Sequence, residues 1–208
     1  MKLYTYFRSS AEFRVRIALN LKGMAFESMP VNLLKGEQTS PAYSEINPQQ
    51  RVPSLALSDA VLIQSPAILE YLDETHPEPP LLPVGAVHRA KVRAVAALVA
   101  CDIHPLNNSG TLAYLKRELG ADKAAADAWY AHWVEKGFDA IEKLLEPGPY
   151  AFGSRVTLAD VYLVPQVFNA RRYKVPLEPY PRIVAVEAAC MAIDAFRDAA
   201  PENQPDAA

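Results

Sequence analysis

A cluster of prolines divides the chain more sharply than any other feature of its sequence. Residues 77–84 read Pro-Glu-Pro-Pro-Leu-Leu-Pro-Val, with four prolines in eight positions. Proline has no backbone N–H and fixes its own φ, so this segment can continue neither a helix nor the interior of a sheet. We therefore predict a semi-rigid linker at 77–84 between one domain at 1–76 and a second at 85–208.

The two predicted domains differ in their secondary-structure patterns. Residues 1–76 alternate between strands and helices in the order βαβ, a loop with a short helix, and ββα. The first crossover predicts a parallel strand pair and the turn at Ser58-Asp59 an antiparallel pair, so the four-stranded sheet should be mixed. Beyond the linker the apolar patterns are helical and include a final helix at about 180–196, followed by a loose tail at 201–208. The predicted architecture is a small α/β domain followed by an all-α domain.

Composition and charge exclude several classes of function. The chain has 208 residues, a net charge of −3 and scattered basic residues, so we expect no nucleic-acid partner. No apolar run approaches the roughly 20 residues of a membrane span, and the first strand begins too early for a signal peptide. Cys101 and Cys190 lie far apart in helical patterns, which favours two free thiols in a reducing cytoplasm. A catalytic cysteine is the alternative, and no metal site is expected.

The turn after the first strand is a candidate for chemistry. Ser9 and Ser10 stand at the predicted start of a helix that Gly23 is suited to end. The first N–H groups of a helix have no partner within it, and its positive end suits a thiolate, a phosphate or a carboxylate. Ser9 and Glu12 also match a capping box, in which Ser9 would be only an N-cap.

Two further positions in the first domain have the features of a ligand site. Val52-Pro53 precedes a strand and is a candidate cis bond, which would turn the N–H and C=O of Val52 outward to pair with a peptide-like ligand. An ordinary trans proline is the alternative. Gln64 and Ser65 precede a second helix and would receive a carboxylate and an amino group, although Ser65 also fits a simple cap.

Together these motifs resemble the zeta class of cytosolic glutathione transferases, which comprises the maleylacetoacetate and maleylpyruvate isomerases. The resemblance extends from Leu3 to about Phe196. The segments that carry it are Arg8-Ser9-Ser10 with 14–19, Asn47-Pro48, Val52-Pro53, 64–68, 157–160 and 163–167. It implies a thioredoxin-like N-terminal domain, an all-α C-terminal domain, glutathione as cofactor and a cytoplasmic homodimer.

The resemblance also implies roles for individual residues. Ser9 would stabilise the thiolate of glutathione with Ser10 as a second donor, and the backbone of Val52 would pair with the cysteinyl part. Arg8 and Arg172 would receive the carboxylates of a dicarboxylate substrate, and Arg8 would take part in catalysis. The other residues that the resemblance assigns to glutathione are Gln38, Gln64, Ser65, His104, Asn108 and Ser109.

The residues themselves leave alternatives open. Arg8 also fits a solvated surface arginine, Arg171 is an alternative to Arg172, and His104 fits a residue at a helix bend. Where the family's commonest motif has cysteine after the two serines, this chain has Ala11, so that cysteine cannot be essential here.

The reaction that the resemblance implies is a glutathione-dependent cis–trans isomerisation of maleylacetoacetate or maleylpyruvate by reversible thiolate addition. It belongs to the breakdown of aromatic amino acids and other aromatic compounds. One alternative is a broader transferase that conjugates glutathione or dehalogenates α-halo acids. Another is a non-catalytic glutathione-binding protein on the same fold.

Overall fold

The computed structural model describes residues 1–207, and in the first part of this range four strands form one mixed sheet. The strands are β1 (Lys2–Thr5), β2 (Glu27–Pro30), β3 (Ser54–Ala56) and β4 (Val61–Ile63). Their order in the sheet is β2-β1-β3-β4; β2 runs parallel to β1, and the β1–β3 and β3–β4 pairs are antiparallel. The prediction of a mixed four-stranded sheet is confirmed.

Helices make up most of the remaining structure. They are α1 (Ser10–Leu21), α2 (Pro41–Ile46), α3 (Ser65–Thr75), α4 (Ala86–Ala97), α5 (His104–Asn107), α6 (Ser109–Glu118), α7 (Lys123–Leu144), α8 (Leu158–Arg172), α9 (Pro181–Met191) and α10 (Asp194–Ala199). A π-helical segment, Leu98–Ile103, joins α4 to α5, and short 3₁₀ turns lie at Glu37–Thr39 and Pro201–Asn203. Among the described residues, no helix is both long enough and apolar enough to cross a membrane.

The chain divides into two compact units. One comprises Met1–Pro80 and the residues from Met191 onward, and the other comprises Leu81–Cys190. In the first unit, helix α1 is buried over most of its length and packs against α3 and α10. Gly23 follows α1 with φ of 63°, the left-handed conformation that suits a glycine after a helix end.

Two local features of the helical unit are a capping box at the start of α8 and a close contact between Gly137 and Ile103. Asp160 is buried and accepts hydrogen bonds from the N–H of Thr157 at 2.7 Å, its hydroxyl at 2.8 Å and the N–H of Ala151 at 2.7 Å. Thr157 and Asp160 thus form a capping box at the start of α8. Gly137 in α7 lets Ile103 approach so closely that a Cβ there would lie 2.2 Å from Ile103 Cδ1.

Three predictions at the boundaries are corrected. The predicted final helix at 180–196 is two helices, α9 and α10, because Ile193 has extended backbone angles. The predicted loose tail is ordered up to residue 207, with Pro201 buried. The compact helical unit ends at Cys190 rather than at residue 208, because α10 packs on α1 and Asn20 Nδ2 donates to the Ala195 carbonyl at 3.1 Å.

Residues on both sides of the proline cluster hold it in place. Lys22 Nζ donates to the carbonyl of Pro79 at 3.1 Å, which ties the first half of the cluster to the N-terminal unit. In the second half, Leu81 and Leu82 are buried in the helical unit, and the Leu81 carbonyl accepts the N–H of Leu158 at 2.7 Å. The change of unit therefore occurs between Pro80 and Leu81.

Candidate active site

The sheet register brings the three candidate segments of the first unit to one end of the sheet. Tyr4 of β1 lies opposite Ser54 of β3, and Ser54 lies opposite Ile63 of β4. Directly beyond these paired residues come the turn to Ser9, the Val52-Pro53 segment and the Gln64-Ser65 pair. Segments that are 11 to 56 residues apart in the sequence thus share one edge of the fold, as a small-molecule site requires.

At the start of α1, the Ser9 side chain is not used for capping. Ser9 is the N-cap residue and is half-buried, yet in the described structure its side chain makes no cap hydrogen bond. Its backbone N–H donates to the Tyr6 carbonyl at 2.9 Å, which closes the turn. Ser10 is the first helical residue and is buried. The Ser9 hydroxyl therefore remains able to donate to an anion at the positive end of the helix.

The predicted capping box between Ser9 and Glu12 is wrong. Glu12 is fully buried and accepts hydrogen bonds from the Thr5 hydroxyl at 2.6 Å and from the N–H of Tyr6. These donors belong to β1 and the turn after it, so the carboxyl group points toward the sheet rather than back to the N-cap. Because the side chain reaches into the core, it leaves the helix start open.

Arg16 accompanies Glu12 in the core. Its Nη1 lies 3.6 Å from Glu12 Oε2, but its hydrogen bonds go to the carbonyls of Ala199 and Phe7, both at 3.0 Å, and to the Thr5 hydroxyl at 3.3 Å. Burial raises the pKa of Glu12 to about 8, while the charge of Arg16 and the donated hydrogen bonds lower it. Burial prevails because the guanidinium gives its hydrogen bonds to other acceptors.

The Val52-Pro53 peptide bond is cis, as the sequence suggested. The segment before it is fixed by buried side chains: the hydroxyl of Tyr43 donates to the carbonyl of Arg51 at 2.8 Å, and Asn47 Nδ2 donates to the same carbonyl at 2.6 Å. Among residues 1–207, the backbone N–H and C=O of Val52 have no hydrogen-bond partner. They can therefore pair with an extended peptide as a neighbouring strand would.

The Gln64-Ser65 pair is placed one position away from the predicted cap. Gln64, rather than Ser65, is the N-cap of α3; its φ is 69°, and its Nε2 donates to Gln49 Oε1 at 2.6 Å. Ser65 is buried, and its hydroxyl accepts from Arg14 Nη1 at 3.3 Å. The hydroxyl is therefore held by α1, and the alternative in which Ser65 only caps α3 is not supported.

The remaining candidates of the first unit are the exposed Arg8 and the half-buried Gln38. Arg8 is exposed, with its guanidinium 4.8 Å from the centre of the Phe7 ring, and makes no ion pair among the described residues. It lines a cavity of about 470 Å³ together with Phe7 and Asp206. Gln38 lies in the 3₁₀ turn, and its Oε1 is buried without a hydrogen-bond partner in the described part of the chain.

The candidate residues of the helical unit differ in exposure and in whether the side chain already has a hydrogen-bond partner. Asn108 caps α6 by accepting the N–H of Thr111 at 3.0 Å, and Ser109 is exposed at the start of that helix. His104 is half-buried and directly follows the π-helical segment. The predicted bend at this position is thus a π-helical turn, a feature often found near functional sites.

Two neighbouring arginines at the end of α8 are told apart by their partners. Arg171 Nε donates to Glu187 Oε1 at 3.0 Å, and its pKa is raised by this carboxylate. Arg172 is exposed and lies 5.1 Å from the Tyr173 ring, with no ion pair in the described structure. Of the two, Arg172 is therefore the one whose guanidinium is not paired with a carboxylate in the described structure.

Neither the cysteines nor the potential metal-ligating side chains of the described residues form a second catalytic centre. Both cysteines are free; Cys101 is exposed, while burial raises the pKa of the Cys190 thiol, which makes it a poor nucleophile. Among the described residues no group of His, Cys, Asp and Glu side chains is arranged to hold a metal ion.

Sequence reasoning missed the residues that support the site. Arg14, Asn47 and Asp206 hold Ser65, the Arg51 carbonyl and the Phe7 N–H respectively. A signal existed for the first of them, because arginines inside the apolar run Phe13–Ile17 are expected only where their guanidinium groups find partners in the core.

Comparison with known proteins agrees with this geometry. The glutathione S-transferase N-terminal domain matches residues 1–74, and the corresponding C-terminal domain matches residues 123–189. The chain is 55% identical to maleylpyruvate isomerase of Ralstonia sp. over the full length of both chains. This protein belongs to the glutathione S-transferase family. It is also 51% identical to maleylacetoacetate isomerase of Pseudomonas aeruginosa, over 99% of this chain and 98% of that one.

Solved structures of the family are similar throughout the chain. The holo structure of a maleylpyruvate isomerase, described as a bacterial zeta-class transferase, has a TM-score of 0.98 at 55% identity and covers all of both chains. A maleylacetoacetate isomerase from Anaeromyxobacter dehalogenans, with dicarboxyethyl glutathione and citrate in its active site, has a TM-score of 0.89 at 41% identity, covering 100% of this chain and 97% of that one. The resemblance to the zeta class and the predicted fold class are confirmed.

Proposed function

We propose that the protein isomerises a maleyl-type dicarboxylate to its fumaryl isomer with glutathione as cofactor. The observation that supports this most is the uncommitted Ser9 hydroxyl at the start of α1, at the same sheet edge as Val52 and Gln64. The relatives that act on maleylpyruvate and maleylacetoacetate match the whole chain, which favours this reaction over a general conjugating activity.

The residues of the first unit fit glutathione by their chemistry. The free backbone groups of Val52 suit the cysteinyl amide, and the start of α3 with Gln64 and Ser65 suits the carboxylate of the γ-glutamyl end. Gln38 has a buried oxygen without a partner in the described structure and would serve the glycyl end. Bound glutathione supplies a thiolate that adds reversibly to the cis double bond and so permits rotation.

Ser9 and the helix start together hold the negative charge of sulfur. A helix start contributes about 0.3–1 kcal/mol when exposed and up to about 2 kcal/mol when partly buried. A hydrogen bond to a charged group adds about 1.5–3 kcal/mol. Lowering the pKa of a thiol by about two units requires about 2.7 kcal/mol, which the two contributions together supply. Ser10 is the proposed second donor.

Arginines would neutralise the substrate. Arg8 and Arg172 are exposed and without ion pairs in the described structure, so each can bind a carboxylate and the negative charge that develops on oxygen. For the helical unit, the resemblance further proposes His104, Asn108 and Ser109 for glutathione; the Asn108 side chain already caps α6. Substitution of each of these residues would test its role.

The decisive experiment compares maleylacetoacetate and maleylpyruvate side by side with purified protein and a catalytic amount of glutathione. We expect absorbance to shift to the fumaryl isomer of at least one substrate while glutathione is not consumed. Stoichiometric consumption with electrophiles, without isomerisation, would instead support a conjugating or dehalogenating transferase. Failure to bind glutathione in calorimetry would support a non-catalytic protein.

Replacing Ser9 tests the assigned role directly. Ser9→Ala should lower kcat by about 10²-fold, the size expected for loss of a charge-stabilising donor, and change glutathione affinity much less. Ser58→Ala, in the exposed turn between β3 and β4, is the control and should match the wild type. Near-normal turnover in Ser9→Ala together with inactivity of Ser10→Ala would reverse the two assignments.

We also propose a cytoplasmic homodimer. Membership of the glutathione S-transferase family supports this proposal. Sedimentation at several concentrations checks the assembly: a single species of about 46 kDa, twice the chain mass of 22.9 kDa, supports it and a monomer refutes it.

A further inference from the structure

The segment Ala199–Asp206 holds both peptide groups of Phe7, in the turn that leads into α1. The Phe7 N–H donates to Asp206 Oδ2 at 2.9 Å. The Phe7 carbonyl accepts from Arg16 Nη2 at 3.0 Å, and Arg16 Nε in turn donates to the Ala199 carbonyl at 3.0 Å. The segment therefore fixes Phe7 directly through Asp206 and indirectly through Arg16.

Phe7 is separated from Ser9 by a single residue, so its orientation determines where Ser9 lies. The Ser9 N–H closes the turn on the Tyr6 carbonyl at 2.9 Å, and the Tyr6 N–H is held by Glu12. Each residue has only two soft backbone dihedrals, so a rotation at Phe7 must be absorbed by Arg8 and Ser9. Glu12 and Arg16, which hold the Tyr6 N–H and the Phe7 carbonyl, both belong to α1. The Phe7 N–H, by contrast, donates to a side chain near the other end of the chain, that of Asp206.

The placement of the Asp206 carboxylate carries a cost to the stability of the fold. Its Oδ1 is buried and has no hydrogen-bond partner within residues 1–207, a situation that costs free energy. The charges that interact with it are those of Arg16, which is favourable, and Glu12, which is unfavourable when ionised. Asp206 also lines the cavity of about 470 Å³ on which Phe7 and Arg8 border.

We propose that Asp206 is a positioning residue: by fixing the Phe7 N–H it sets the direction of the Ser9 hydroxyl and of the adjacent Arg8 guanidinium. This rests on the proposed function of Ser9 as the thiolate donor. Asp206 itself touches neither glutathione nor substrate in this role, and its contribution passes through the backbone of Phe7.

The test uses three variants of the full chain: Asp206→Ala, which removes the acceptor; Asp206→Asn, which keeps a carbonyl oxygen for the Phe7 N–H; and Glu202→Ala, an exposed residue of the same segment. We expect Asp206→Ala to lower kcat by about tenfold, because misplacement of a catalytic group by a fraction of an ångström is already costly. The KM for glutathione and the melting temperature should change little. Asp206→Asn should restore most of kcat, and Glu202→Ala should match the wild type.

Two readouts do not depend on the isomerase reaction. In the protein without glutathione, amide exchange of Phe7 measured by NMR should become about tenfold faster in Asp206→Ala and return toward wild type in Asp206→Asn. With glutathione, ultraviolet absorbance of the thiolate should show a raised pKa of the bound thiol in Asp206→Ala.

These readouts separate the two proposals. A wild type that binds glutathione as thiolate but isomerises neither maleyl acid would overturn the proposed substrate and leave the role of Asp206 measurable. The positioning role is refuted by unchanged Phe7 exchange in Asp206→Ala, by an unchanged thiol pKa, or by an equal loss of kcat in Glu202→Ala. If Asp206→Ala does not fold, failure of Asp206→Asn to retain wild-type exchange and turnover would refute it.

Discussion

Replacing Glu12 by glutamine should change how stability depends on pH. Glu12 is fully buried; its Oε2 accepts from Thr5 and Tyr6, while Oε1 has no partner among the described residues. The nearby Arg16 gives its hydrogen bonds to other acceptors. Burial therefore raises the pKa of this carboxyl group from 4.5 to about 8. Glutamine keeps the shape of the group but cannot ionise.

The sign and the size follow from proton binding. Above about pH 4.5 the unfolded chain releases the Glu12 proton, while the folded protein keeps it until about pH 8. The free energy of unfolding of the wild type therefore falls as pH rises through this window, by about 1.4 kcal/mol per pH unit. Between pH 5 and pH 8 the wild type should lose about 3–4 kcal/mol relative to Glu12→Gln, and above pH 8 the difference should level off.

Urea unfolding at a series of pH values measures this difference, with the constant offset between the two proteins cancelling. Glu74→Gln, an exposed substitution on α3, is the control and should run parallel to the wild type. A difference between wild type and Glu12→Gln that stays constant within about 1 kcal/mol from pH 5 to pH 8 would refute the reasoning, since it would mean that Glu12 is ionised throughout and that Arg16 outweighs burial.

Two pairs of substitutions test the helical unit. Gly137→Ala places a Cβ 2.2 Å from Ile103 Cδ1 and should destabilise the protein by about 1–3 kcal/mol in thermal unfolding. Ile103→Val removes that carbon and should recover part of the loss in the double variant; simple additivity would refute the close contact. Arg172→Ala should raise the KM for the dicarboxylate by about tenfold, as loss of a charge-assisted contact implies. Arg171→Ala should not, because Arg171 is paired with Glu187, and equal effects of the two would contradict this assignment.

The parts of the fold that were predictable depend on local chemistry. The helix at 41–46, the end of α1 before Gly23 and the cap of α8 at Thr157 are each specified by residues within one or two turns. The mixed sheet followed from the lengths of its connections. The cis Val52-Pro53 bond and the helix start at Ser65 were also signalled locally, which is why these segments of the candidate site were found from the sequence; that they share one sheet edge came from the register of the strands.

The errors arose where distant residues compete for the same group. Glu12 has the spacing of a capping box, but Thr5 and Tyr6 offer donors to its carboxyl group from β1. The segment 201–208 looked loose because it is polar and contains two prolines, yet the Phe7 N–H donates to Asp206 in it from the turn before α1. A local sequence pattern cannot predict such contacts, because the two partners come together only when separate elements pack in the tertiary fold.

The wrong capping prediction bears on the chemistry, because it determines whether a negative charge faces the proposed thiolate. An ionised carboxylate about one helical turn from sulfur would oppose it by about 3 kcal/mol at an effective dielectric constant of about 20. That is as large as the about 1.5–3 kcal/mol that the Ser9 hydroxyl supplies. Burial keeps Glu12 protonated up to about pH 8, so the helix start retains its attraction for the thiolate at neutral pH.

The same argument predicts how turnover depends on pH. In the wild type, kcat should decline above about pH 8 as Glu12 ionises, whereas Glu12→Gln should keep its activity there. The pH profiles of kcat for the two proteins measure this, with Glu74→Gln as the control. Coincident profiles above pH 8 would show that the charge of Glu12 has no effect on a thiolate at the start of α1. Protonation of Glu12 would then not be required for activity.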